Sequence, residues 1–149
     1  MIIYLDASAL VKRYILEAGS AAVESLLEDA EMAGTSIISK AEVSAAICKA
    51  ARIGIVDHRK ASIAVKRFRA HWPDLFRLKV DSAVVENADL LSWEHQLRGY
   101  DAVHLACAKP LTLTNLEWGV KLFSHQEILG CIAKSSVLTN YCKKLNNLL

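Results

Sequence analysis

Apolar and polar positions follow two alternating rhythms along the chain, and the switches between them mark out a strand–helix repeat. Residues 2–5, Ile-Ile-Tyr-Leu, form an unbroken run of β-branched, aromatic and aliphatic side chains. That is the pattern of a strand buried on both faces. Residues 7–16 and 20–32 then read as helices, punctuated by Gly19 and Gly34. TSIIS at 35–39 reads as a second strand, 40–52 as a helix stopping at Gly54, 58–71 as another helix and FRLKV at 76–80 as a third strand. Helices over 82–97 and 101–109 follow, separated by Arg-Gly-Tyr. PLTLTNLEWG at 110–119 reads as a loop, VKLFS at 120–124 as a fourth strand and SVLTN at 136–140 as a fifth. Strands alternating with helices predict a mainly parallel α/β sheet of about five strands with helices on both faces. No repeat, linker or low-complexity tract interrupts the pattern, so residues 1–149 read as a single domain.

Composition narrows the function classes. Hydrophobic residues make up 53% of the chain and charged ones 23%, a globular balance that excludes intrinsic disorder. The net charge of +2 argues for neither nucleic acid nor membrane, and charge distribution matters more than its sum. The cysteines, Cys48, Cys107, Cys131 and Cys142, form no CxxC and lie in apolar surroundings such as AAICKAA and LACAK. They read as reduced, small hydrophobic residues rather than metal ligands. No charged-then-apolar leader precedes Ile2 and no apolar run approaches membrane-spanning length. The expectation is a soluble, reduced, cytoplasmic protein with no membrane partner.

Three acids stand at chemically suggestive points. Asp6 ends the first strand, Glu42 lies just beyond the second, and Asp101 opens the helix in LRGYDAVHLA. Helix chemistry alone explains each of them. Asp6 suits an N-cap, Ser39-x-x-Glu42 matches a capping box, and Asp101 complements a helix dipole. Their joint placement says more. Ligands of open parallel sheets bind beyond the carboxyl ends of the strands. Carboxylates gathered there repel one another unless a cation neutralises them, and oxygen-only donors suit Mg²⁺ or Mn²⁺. Such an ion generates hydroxide and stabilises a phosphodiester transition state.

The stretches YLDASALVKRY, SKAEVSAA and LRGYDAVHLA, in that order, resemble the PIN-domain ribonucleases, and most of all the VapC-type toxins of toxin–antitoxin pairs. The likeness runs from Ile2 to about Thr139. It implies a three-layer α/β/α sandwich in which Asp6, Glu42 and Asp101 hold Mg²⁺ or Mn²⁺, with Ser8 supporting Asp6 or a metal-bound water. It further implies endoribonuclease activity on RNA, a small antitoxin protein as partner, and a homodimer. The family usually places a fourth acid after its fourth strand, in a pattern like Val-Thr-x-Asp-x-x-Leu. Here the segment is LFSHQEIL, and Gln126 falls at that position, with Glu127 beside it. An amide oxygen ligates a cation without contributing charge. The alternative function is therefore a catalytically weakened PIN-fold protein that binds RNA or a protein partner.

Other features carry less. His104 lies one turn from Asp101, within hydrogen-bonding reach, although a partly buried histidine on the packing face is the plainer reading. Residues 58–73, HRKASIAVKRFRAHWP, hold five Lys or Arg with Phe68 and Trp72 interleaved. This suits either an RNA-contacting flank or a solvated helix face. Residues 81–94 hold four acids and no base, and Trp93 and Trp118 read as core or partner contacts. A phosphoacceptor receiver domain would need an acidic pair after the first strand and an aspartate ending the third. A haloacid-dehalogenase-like phosphatase would need Asp-x-Asp where this chain has Asp6-Ala7-Ser8.

Overall fold

A computed structural model describes residues 2–114 and 120–123. Strand β1 (Ile2–Leu5) is the most buried segment, as its unbroken apolar run requires. It pairs in parallel with β2 (Met32–Ser36) on one side and β4 (Val120–Phe123) on the other, while β2 pairs in parallel with β3 (Phe76–Leu78). The order is therefore β3-β2-β1-β4. The chain steps outward from β1 to β2 to β3 and then returns to the far side of β1. This reversal creates a switch point between β1 and β4, the position at which open α/β sheets take ligands. The fifth strand expected over 136–140 lies outside the described residues.

Alternate residues of β1 face opposite layers, as the two-residue period of a strand demands. Ile3 and Leu5 pack into a cluster with Leu10, Val43, Ile47 and Phe68. These come from α1 (Ala7–Leu10), α3 (Ser39–Arg52) and α4 (His58–His71). Tyr4 faces the other way, against Cys107 and Ala108 of α6 (Gly99–Thr114), which packs in turn on α5 (Ser82–His95). The three-layer sandwich follows from that alternation. Phe68 is fully buried and meets Tyr14 and Trp72 edge-on, with ring centroids 5.3 and 5.5 Å apart. The aromatics of the basic segment are thus core side chains, while Arg59, Lys60, Lys66, Arg67 and Arg69 face outward.

Several boundaries differ from the sequence expectation. The helix expected over 20–32 is α2, Ser20–Asp29, and the second strand begins at Met32 rather than Thr35. Gly34, which reads as punctuation, sits mid-strand between Tyr4 and Phe76. A Cβ there would stand only 3.6 Å from the Ile3 carbonyl oxygen. Pairing with β1, rather than local propensity, defines this strand. Helix α6 starts two residues early and continues past Pro110, which lies inside it. Proline gives up one intrahelical bond there and crowds the carbonyl four residues back, a local cost that α6 carries. Trp93 is 90% exposed and Cys48 is also exposed, so neither is a core residue. Among the described residues, no helix is long and apolar enough to cross a membrane.

Candidate active site

The site is built at the carboxyl ends of β1 and β2. Asp6 follows β1 directly in extended conformation and caps α1, accepting from the Ala9 N–H at 2.6 Å. Ser8 donates to the same carboxylate, with its Oγ 2.9 and 2.8 Å from Oδ1 and Oδ2. The N-cap reading of Asp6 is therefore correct. Burial pushes the Asp6 pKa up despite the Ala9 N–H, His104 and Ser8, and Asp101 adds to the rise.

Glu42 lies in the first turn of α3, yet it makes no capping box. Ile38 holds the N-cap position with no side-chain bond, and the Ser39 hydroxyl turns inward to Thr35 Oγ1 at 2.7 Å. Thr35 in turn donates to the Leu5 carbonyl at 2.7 Å, tying the end of β2 to the end of β1. Released from the cap, Glu42 reaches across to α6, where its Oε2 lies 2.8 Å from His104 Nε2. Asp101, in the first turn of α6, is half-buried. Desolvation raises its pKa, Arg98 and His104 oppose the rise, and Glu42 reinforces it. Asp6 thus senses Asp101, and Asp101 senses Glu42.

His104 is the residue that sequence reasoning undervalued. It is 5% exposed and bonds Glu42 through Nε2 and the Tyr4 hydroxyl through Nδ1, at 2.8 Å each. Its partner is Glu42, sixty-two positions away, rather than Asp101 on its own helix. The spacing from Asp101 placed His104 on the correct face, but no local pattern could reveal the cross-layer contact. Gln126 and Glu127 lie outside the described residues.

Among the described residues, no three His, Cys, Asp or Glu side chains stand close enough to cage an ion by themselves. The donor chemistry still suits a hard cation. Mg²⁺ keeps several waters and is commonly bound through only one or two carboxylates plus substrate phosphate. The pKa values of Asp6 and Asp101 are raised by burial and, in part, by a neighbouring carboxylate, which a cation would relieve.

A PIN domain family model matches residues 3–117. The chain belongs to the PIN-domain family. Two curated relatives, ribonuclease VapC45 and ribonuclease VapC49 from two strains of Mycobacterium tuberculosis, are each 31% identical over 133 residues. Each alignment covers 87% of this chain and 92% of the relative. Within the PIN family this protein is accordingly of the VapC type. A toxin–antitoxin complex from Klebsiella pneumoniae contains a chain of the same fold, with a TM-score of 0.60 at 16% identity. That match covers 87% of this chain and 92% of the other.

Proposed function

We propose that this PIN-domain protein is a Mg²⁺- or Mn²⁺-dependent endoribonuclease, the toxin of a toxin–antitoxin pair. The observation that supports the reading is electrostatic coupling between acids of three separate segments: Asp6 at the end of β1 feels Asp101 of α6, and Asp101 feels Glu42 of α3. Burial raises the pKa of both Asp6 and Asp101, with Asp101 adding to the rise at Asp6 and Glu42 to that at Asp101. The ribonuclease names of the two VapC relatives support the substrate class.

Asp6, Glu42 and Asp101 are the residues that would hold the cation. When bound, the ion would activate water and stabilise negative charge on the phosphodiester. The chain's own contribution is orientation. The Ala9 N–H and the Ser8 hydroxyl fix both oxygens of Asp6, and the Thr35–Leu5 bond locks together the ends of β1 and β2, from which Asp6 and the start of α3 follow. The exposed Lys and Arg of α4 provide a sequence-independent attraction for RNA phosphates.

The test is cleavage of a labelled single-stranded RNA with Mn²⁺, followed by analysis of the product ends. Water as nucleophile leaves a 5′-phosphate and a 3′-hydroxyl. Cyclic 2′,3′-phosphate ends, or cleavage that persists in EDTA, would refute the mechanism. A second reading, a weakened nuclease that chiefly binds RNA or a partner, rests on Gln126 in place of the usual fourth acid. It expects little cleavage by the wild-type protein and a marked gain in Gln126→Asp.

A further inference from the structure

We infer that His104 is a positioning residue for the metal site: with its ring oriented by the Tyr4 hydroxyl, its Nε2–H holds the Glu42 carboxylate in place for the cation. This rests on the metal-dependent reading above and assigns a function to a side chain that reading does not use.

The argument begins with what each partner can offer. A carboxylate only accepts hydrogen bonds, so the 2.8 Å contact between His104 Nε2 and Glu42 Oε2 requires the proton on Nε2. In a neutral imidazole, Nδ1 is then a lone pair and needs a donor. The Tyr4 hydroxyl, 2.8 Å away, supplies it. Burial holds Tyr4 firmly in its phenol form, and the Ser36 backbone also bonds its oxygen. Donor, acceptor, donor and acceptor therefore run in one direction, from Tyr4 through His104 to Glu42. The tyrosine and imidazole rings meet edge-on, 6.0 Å apart at 70°, which fixes the tilt of the imidazole.

Placement makes the chain consequential. Tyr4 is on β1, two residues before Asp6, and His104 is on α6, one turn after Asp101. The chain thus links all three segments that carry the acids. Asp6 is already held by Ala9 and Ser8. Glu42 has the longest side chain of the three acids and is 25% exposed, so it has the most rotamer freedom to lose. His104 removes that freedom through Oε2 and leaves Oε1 for a cation. The same arrangement, a partner hydrogen-bonding to a ligand and fixing its orientation, recurs around bound metals.

Two substitutions separate positioning from mere packing. The amide nitrogen of glutamine can replace Nε2, whereas that of asparagine matches Nδ1 and leaves Glu42 without a donor. His104→Asn should weaken Mn²⁺ binding about tenfold or more, read from the free-ion electron paramagnetic resonance signal. His104→Gln should bind nearly as tightly as wild type, even if both variants melt at similarly lowered temperatures. In the metal-free wild-type protein, ¹⁵N–¹H correlation spectra should show His104 as the Nε2–H tautomer, a measurement that needs no variant to fold. Asp6→Asn is the control that must abolish binding. Wild-type affinity in His104→Asn, equal loss in both His104 variants, or the Nδ1–H tautomer would overturn the inference while leaving the metal site intact. A wild-type protein that binds no Mn²⁺ would instead overturn the metal reading, and the positioning role with it.

Discussion

Replacing Asp6 by asparagine and by alanine separates its two roles. Asp6 is 8% exposed and accepts from the Ala9 N–H at 2.6 Å, while Ala9 itself is fully buried. Alanine leaves that N–H without a partner. Loss of an N-cap costs about 0.5–2 kcal/mol, and an orphaned buried donor about 1–3 kcal/mol. These are two views of one bond, so the expected cost is about 2 kcal/mol. For a domain of this size that lowers the melting temperature by roughly 6 °C. Asparagine keeps an acceptor oxygen for Ala9 and removes a charge that burial disfavours, so it should melt close to wild type. Both variants lose the negative charge offered to a cation, and both should lose Mn²⁺-dependent RNA cleavage by on the order of a hundredfold or more. The assays are thermal melting without metal and cleavage of a fluorescent RNA with Mn²⁺. Asparagine retaining wild-type cleavage would reduce Asp6 to a cap and refute the reasoning.

Two further outcomes follow from the packing and the electrostatics. Phe68→Ala should cost about 3–5 kcal/mol in denaturant unfolding, because it empties a fully buried site between Tyr14 and Trp72; a loss below about 1 kcal/mol would contradict the assigned core. In the metal-free protein, burial lifts the pKa values of Asp6 and Asp101. The stability their neutral forms contribute is fully present below the ordinary carboxylate range and is lost as pH rises through the lifted values. A cation favours the charged forms, so Mn²⁺ should raise the melting temperature more at about pH 8 than at about pH 5. An equal rise at both would show that these acids are not its ligands.

Where the sequence was legible, periodicity and burial coincided. The Ile2–Leu5 run can only be a strand in the middle of the sheet, and the apolar spacing that brings Ala61, Ala64 and Phe68 to one side of α4 marks its inward face. Asp6 was legible as a cap because a cap is a contact between residues three apart. The misreadings share one cause. Gly34 looks like a break because local propensity says nothing of the strands on either side that pair with it. Ser39-x-x-Glu42 looks like a capping box, but Thr35 takes the serine and His104 takes the glutamate, one contact local and the other across the layers. Pro110 looks like a stop, yet α6 runs through it. The family motifs named the three acids, while the Tyr4–His104–Glu42 chain joins positions 4, 42 and 104 and is readable only once the fold brings them together.

The most direct measurement is anomalous diffraction from crystals of the wild-type protein grown with Mn²⁺. One peak should lie within ligand or water-bridged distance of the Asp6, Glu42 and Asp101 carboxylates, with His104 Nε2 still bonded to Glu42 rather than to the metal. A peak elsewhere, or none at a Mn²⁺ concentration that supports RNA cleavage, would contradict the assignment of these acids as the metal site.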